Sequence, residues 1–134
     1  MGFNHVSITE YWLGYTEGKF DSSPLSFTRF PILGWAVTHS ASNLITDSAA
    51  AGTALSTGNK TDNGMLGVAP DSSETESISY RIHDAGYKVG ISSTVGINHA
   101  TPGAFYGHNT SRSNYYEIAS ELPETGFEFF AGGG

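Results

Sequence analysis

Cysteine is absent from the 134 residues, which excludes disulfides and thiolate metal sites but leaves the compartment open. Nowhere is there a run of the roughly twenty apolar residues needed to span a bilayer, so no membrane span is expected. The N-terminus lacks the basic-then-apolar run of a secretion signal. Positive charge is also scarce, with six Lys and Arg and a formal net charge of −7. Nucleic-acid backbones are bound largely by clustered cations that release counterions, so this composition argues against such a partner. A small phosphate-bearing substrate remains open, because it needs only one or two placed donors or metals. Apolar residues make up only 38% of the chain, and seventeen glycines stand among many Ser, Thr and Asn. That mixture implies loops and close backbone approaches. The length allows one domain with a core, and the composition suits a piece that leans on neighbours better than a self-contained fold.

Along the chain, Phe3 to Leu13 has the pattern of a helix with Val6, Trp12 and Leu13 partly on one side, and residues 14–30 read as loop. Pro31 to Val37 is apolar and reads as extended. Asp47 is a good N-cap, the small residues after it favour helix, and Gly58 suits the position just past the end. Residues 58–73 return to loop character, with Asn63-Gly64 as a turn signal. Thr75 or a near neighbour can cap a helix through His83 that buries Ile78 and Ile82 and stops at Gly86. Tyr87 to Ser93 alternates like a strand, with Val89 and Ile91 on one face. Asn114 to Leu122 reads as a further helix broken by Pro123, and Phe127 to Ala131 as a second strand. Strand, helices and strand in this order predict an α/β fold with a right-handed parallel crossover. The closing Gly132-Gly133-Gly134 reads as an interrupted loop.

The strongest local signal is Ile45-Thr46-Asp47-Ser48-Ala49-Ala50-Ala51-Gly52-Thr53-Ala54. Ser48 would sit in the first turn of a helix, where backbone N–H groups lack intrahelical partners and the dipole end is positive. That place favours a phosphate dianion and a developing alkoxide. Taken alone, it equally suits a plain helix cap by Asp47 or Ser48, which is the commoner use of both residue types. For the phosphoryl oxygens, Arg is suited because its planar donors reach two oxygens at once. The chain has Arg29, Arg81 and Arg112. Arg81 lies within the third predicted helix and reads as a solvated face charge.

Two stretches together carry a family resemblance. Asp47-Ser48-Ala49-Ala50-Ala51-Gly52-Thr53-Ala54, followed in register by Thr57-Gly58-Asn59-Lys60-Thr61-Asp62-Asn63-Gly64, closely resembles the serine signature and continuation of the alkaline phosphatases. Ala100-Thr101-Pro102, followed by His108-Asn109-Thr110-Ser111-Arg112, is similar to that family's second segment with its spacing intact. The resemblance implies a partial alkaline-phosphatase-like sandwich, with residues 1–134 forming one partial domain from the N-terminal portion of the catalytic domain. It makes Ser48 the nucleophile, Arg112 the phosphate clamp, Asp47 the residue that orients the arginine, and Thr101 a magnesium ligand. His99 stands where family members vary between Asp and His, and it bears on the metal preference of the third site. His5, His39, His83 and His108 match no ligand motif of the family.

By the same resemblance the complete enzyme takes two zinc ions and one magnesium, and hydrolyses phosphomonoesters through a phosphoserine. It would be periplasmic or extracellular, and often a homodimer. The family's first metal-binding aspartate lies in an Ile-Gly-Asp-Gly-Met-Gly motif, and the resemblance places Met1-Gly2 just after that aspartate. The downstream Asp, His and Glu ligands have no counterpart in the chain, which is therefore expected to be inactive alone and need not bind metal. Two other readings stand beside this one. A related sulfatase or phosphodiesterase would carry a modified Cys or Ser, or a Thr, as nucleophile, and the intact Asp-Ser-Ala-Ala run weighs against it. A truncated or proteolysed piece that only packs or binds is the second. A Ser-His-Asp hydrolase ranks last, since no Gly-x-Ser-x-Gly elbow is present.

Overall fold

A computed structural model describes residues 3–18, 25–32 and 34–133. The chain divides into two compact units, Met1–Ala36 and Val37–Gly134. In the first, α1 runs Phe3–Glu17, so the helix continues four residues past the expected end at Leu13. Thr9 and Thr16 return their hydroxyls to the carbonyls of His5 and Trp12, four residues back, a local bond that helix interiors tolerate. Val6 and Leu13 are half-buried, but Trp12 is exposed and its ring lies tilted beside Tyr15, ring centroids 6.4 Å apart. The expected loop beyond it contains a 3-10 turn, Ser26–Arg29. Pro31 to Val37 joins no strand ladder among its described residues, and Leu33 lies outside them, as do Met1-Gly2, residues 19–24 and Gly134.

The second unit carries α2 (Ser48–Thr57), α3 (Ile78–Asp84), β1 (Gly90–Ser92), α4 (Ala100–Gly103), α5 (Tyr115–Ser120) and β2 (Phe129–Ala131). A 3-10 turn, Leu122–Glu124, holds Pro123 in its first turn, where the missing N–H costs nothing. β1 and β2 pair in parallel in the register Gly90 with Phe129, Ile91 with Phe130 and Ser92 with Ala131. Both strands are shorter than their apolar patterns predict. The Glu128 carboxylate accepts the Val89 N–H at 2.8 Å and closes the pairing where the ladder stops.

The core gathers Ala49 from α2, Leu66, Ile91 from β1, Ala100 and Ala104 around α4, Tyr106, and Ile118 from α5. Tyr106 anchors it twice, burying its ring against Phe130 and donating its hydroxyl to the Ile97 carbonyl at 3.0 Å. The expectation for α3 is corrected: Ile78 and Ile82 are 43% and 40% exposed. The inward residues are Ser77 and Ser79, and the Ser77 hydroxyl is spent on the Phe105 carbonyl at 2.7 Å. Helical spacing marks an apolar face, but it does not say that this chain covers that face.

Candidate active site

Asp47 caps α2 as its sequence context predicts. Its backbone is extended, and Oδ1 accepts the Ala50 N–H at 2.9 Å. At the other end Gly58 adopts φ +76°, a conformation that costs a residue with a side chain, and donates its N–H to the Ala54 carbonyl. Ser48 is the first residue of the helix and is half-buried. It therefore stands among unpaired N–H groups at the positive end of the helix.

The rest of α2 explains its run of small residues. A Cβ placed on Gly52 would lie 3.0 Å from the Ala104 side chain, so glycine lets α2 settle against the end of α4 without displacing it. The buried Ser56 hydroxyl donates to the Ala104 carbonyl at 2.6 Å. Buried Thr53 donates to Ala49 within the helix and accepts the Gly67 N–H at 3.0 Å. Fully satisfied buried hydroxyls of this kind fix one geometry, since breaking either would strand a polar group.

Arg112 arrives from the other motif. Leu66 and Asn109 exchange both backbone hydrogen bonds, at 2.9 and 2.8 Å, in an antiparallel bridge between the two motif loops. Two residues to one side of Leu66, the Gly64 carbonyl accepts the Arg112 N–H at 2.7 Å. The arginine is thus delivered beside the cap of α2. Its Nη1 lies 3.0 Å from Asp47 Oδ2, and Nη2 lies 3.3 Å from His99 Nε2. A guanidinium only donates, so in this contact the His99 ring nitrogen is the accepting partner. The other ring nitrogen, Nδ1, is buried and has no hydrogen-bond partner among the described residues.

Asp47, Ser48, Arg112 and His99 are therefore brought together across 65 residues of sequence. Thr101 is exposed on α4 and opens on a separate groove of about 330 Å³ beside β1. Its backbone packs near Gly52, but no side-chain hydrogen bond joins it to Ser48 or Arg112 among the described residues. His108 pairs with Glu121 at 3.1 Å, and His39 Nδ1 shares a hydrogen bond with the Ser40 carbonyl. A larger cavity of about 570 Å³ is lined by Glu74, Glu76, Asp84, Glu121 and Glu124; its carboxylates would repel a phosphate dianion. No three His, Cys, Asp or Glu side chains converge on a metal position among the described residues. Zinc needs at least three protein ligands, so the described residues do not by themselves fit a metal centre.

Asn63 and Gly64 are the residues that sequence reasoning underrated. The dipeptide reads as a turn within the motif, with no role of its own, yet Asn63 Oδ1 accepts the Asp47 N–H at 3.2 Å and Gly64 N–H donates to Asp47 Oδ2 at 3.1 Å. The available signal was its place inside the second half of the serine motif.

The sequence model of the alkaline phosphatase family matches residues 1–128. Alkaline phosphatase 3 of Bacillus subtilis is 33% identical over 123 residues, 90% of this chain and 26% of its own length. Alkaline phosphatase 4 of the same organism is 47% identical over 76 residues, 57% of this chain and 16% of its own. The alkaline phosphatase of the Antarctic bacterium TAB5 superposes with a TM-score of 0.77 at 39% identity, over 91% of this chain and 35% of that one. A histidine-to-aspartate variant of the TAB5 enzyme has Mg bound in its M3 site. The cold-active enzyme of Shewanella sp. gives a TM-score of 0.83 at 31% identity, over 96% of this chain and 32% of that one. The chain thus spans about a third or less of each of these relatives, and it belongs to the alkaline phosphatase family.

Proposed function

We propose that this chain supplies the attacking oxygen and the phosphate clamp of a phosphomonoester hydrolase. The observation that supports it most is the ion pair of Arg112 with Asp47, one residue from Ser48 at the start of α2. In this reading residues 1–134 belong to one N-terminal portion of a catalytic domain, and the activity belongs to the complete protein. That protein works outside the cytoplasm, in the periplasm or beyond the cell, as a monomer or homodimer acting on small phosphomonoesters.

The substrate phosphate seats against the Arg112 guanidinium, whose charge is fixed at any working pH and whose fork matches two non-bridging oxygens. Asp47 keeps the fork aimed, because its Oδ2 already occupies one donor. The Ser48 oxygen bonds to phosphorus as the bond to the leaving alcohol breaks, and the alcohol departs with a proton. Water then attacks the phosphoserine, releasing inorganic phosphate and restoring the Ser48 hydroxyl. The unpaired N–H groups at the start of α2 stabilise charge on the transferring group throughout.

Family resemblance assigns the complete protein two zinc ions and one magnesium, with Ser48, Thr101 and His99 as the residues of this chain that face them. Such metals, when bound, ease ionisation of a hydroxyl and stabilise a leaving oxygen. The remaining ligands must come from other parts of the protein. In the complete enzyme, Ser48→Ala is expected to abolish both turnover of an aryl phosphate and the acid-stable phosphorylated protein formed with labelled substrate. A phosphoenzyme that persists without Ser48 would rule the reading out.

A further inference from the structure

The Asn63-Gly64 turn touches both halves of the site. The Asn63 carboxamide lies against the segment that leads into Ser48. Its Oδ1 accepts the Asp47 N–H at 3.2 Å, and its Nδ2 donates to the Ile45 carbonyl at 3.0 Å. Its own N–H reaches the Ser42 hydroxyl at 3.3 Å. Only a carboxamide offers a donor and an acceptor side by side at this reach. The next residue, Gly64, commits both backbone groups to the site: its N–H goes to Asp47 Oδ2 at 3.1 Å and its carbonyl takes the Arg112 N–H at 2.7 Å. The carboxylate that holds the guanidinium is thus itself held, at its backbone by Asn63 and at its Oδ2 by Gly64.

We propose that Asn63 is a positioning residue for phosphoryl transfer, fixing the Asp47-Ser48 backbone and the Asp47-Arg112 pair as one frame. It acts through those residues and need not touch the substrate. The inference rests on the proposed roles of Ser48 and Arg112. If the Asn63 carboxamide is lost, the peptide before Ser48 loses two of its fixed points, at the Asp47 N–H and the Ile45 carbonyl, and the backbone that carries both Ser48 and the Asp47 carboxylate loosens against the Gly64-Arg112 side of the frame. Misplacements of about 1 Å at such a site cost on the order of a hundredfold in rate, and partial loosening correspondingly less.

The test uses the complete, metal-loaded enzyme with an aryl phosphate as substrate and inorganic phosphate as competitive inhibitor. Asn63→Ala is expected to lower kcat by about tenfold and to weaken phosphate inhibition at temperatures well below its melting transition. A double-mutant cycle with Arg112→Ala separates positioning from general destabilisation. If both residues serve one frame, the Asn63→Ala effect shrinks in the Arg112→Ala background. Full multiplicative effects would overturn the proposal, as would an unchanged kcat or a loss that follows only the unfolded fraction. Should Asn63→Ala fail to fold, Asn63→Ser, which retains a short polar side chain suited to the turn, carries the same cycle. Asn59→Ala is the control, because among the described residues that carboxamide bonds only the nearby Thr57 carbonyl, and wild-type kcat is expected. Full turnover by Ser48→Ala would remove the underlying assignment and this proposal with it, whatever Asn63→Ala does.

Discussion

Arg112 reaches Asp47 with one terminal nitrogen and His99 with the other, and both partners hold it without sheathing it, since its side chain remains 30% exposed. Exposed ion pairs contribute little to stability, commonly less than about 1 kcal/mol, so the pair is better understood as aim than as glue. Arg112→Ala in the complete enzyme is therefore expected to leave folding nearly intact. Turnover should fall about a hundredfold or more, the usual effect of removing one preorganised donor. Steady-state kinetics beside a melting curve checks both halves, and an unchanged rate would exclude Arg112 from the chemistry. The serine, arginine and aspartate were legible in the sequence because their motif is dense and its residue types are chemically restrictive. The contact of His99 with Arg112 was not, since a histidine thirteen residues away in a loop carries no sign of which nitrogen it will offer, or to whom. Asn63 was legible as a turn residue and as part of the serine motif's continuation, but a dipeptide cannot show which distant backbone its side chain will meet.

Among the elements, α2 was readable end to end: an Asp cap, small residues and a glycine stop are local signals with local causes. The burial of α3 was misjudged for the opposite reason, since what covers a helix face depends on partners outside the helix. Strand lengths failed similarly, as an apolar run continues past the last ladder bond. Where α3 does pack, Tyr80 donates its hydroxyl to the Tyr106 carbonyl at 2.6 Å. Burial pushes the Tyr80 phenol up from its ordinary value of 10.0, with the Glu121, Glu74 and Glu124 carboxylates adding to the effect. Burial raises Tyr106 further, again reinforced by Glu121. Both phenols are thus held protonated in the folded state beyond the pH at which an unfolded chain ionises. The stability this gives is fully present below about pH 10 and declines as pH rises above it toward the raised values. Urea titrations of the complete protein across about pH 9 to 11 should show that decline, and Tyr80→Phe should flatten it. An identical slope in the variant would place the alkaline sensitivity elsewhere.

For the whole molecule, the distribution of ligands decides what 134 residues can do. The described residues include Ser48 and Arg112, the proposed attacking hydroxyl and phosphate clamp, while among them no three metal-ligating side chains converge. The chain expressed alone is accordingly expected to bind zinc without defined stoichiometry and to hydrolyse p-nitrophenyl phosphate no faster than its Ser48→Ala form. Metal-dependent turnover that Ser48→Ala abolishes would refute this. Time adds a further constraint. Asp47 meets Asn63, Gly64 and Arg112, partners 16, 17 and 65 positions away along the chain. Capping α2 requires closing only a few residues, whereas seating the arginine requires closing a loop of several dozen, and contacts between distant residues form late. During refolding, helical signal should thus recover before the clamp exists. The protein is thus expected to pass through a stage at which Ser48 already stands on a formed helix while Arg112 has yet to reach Asp47.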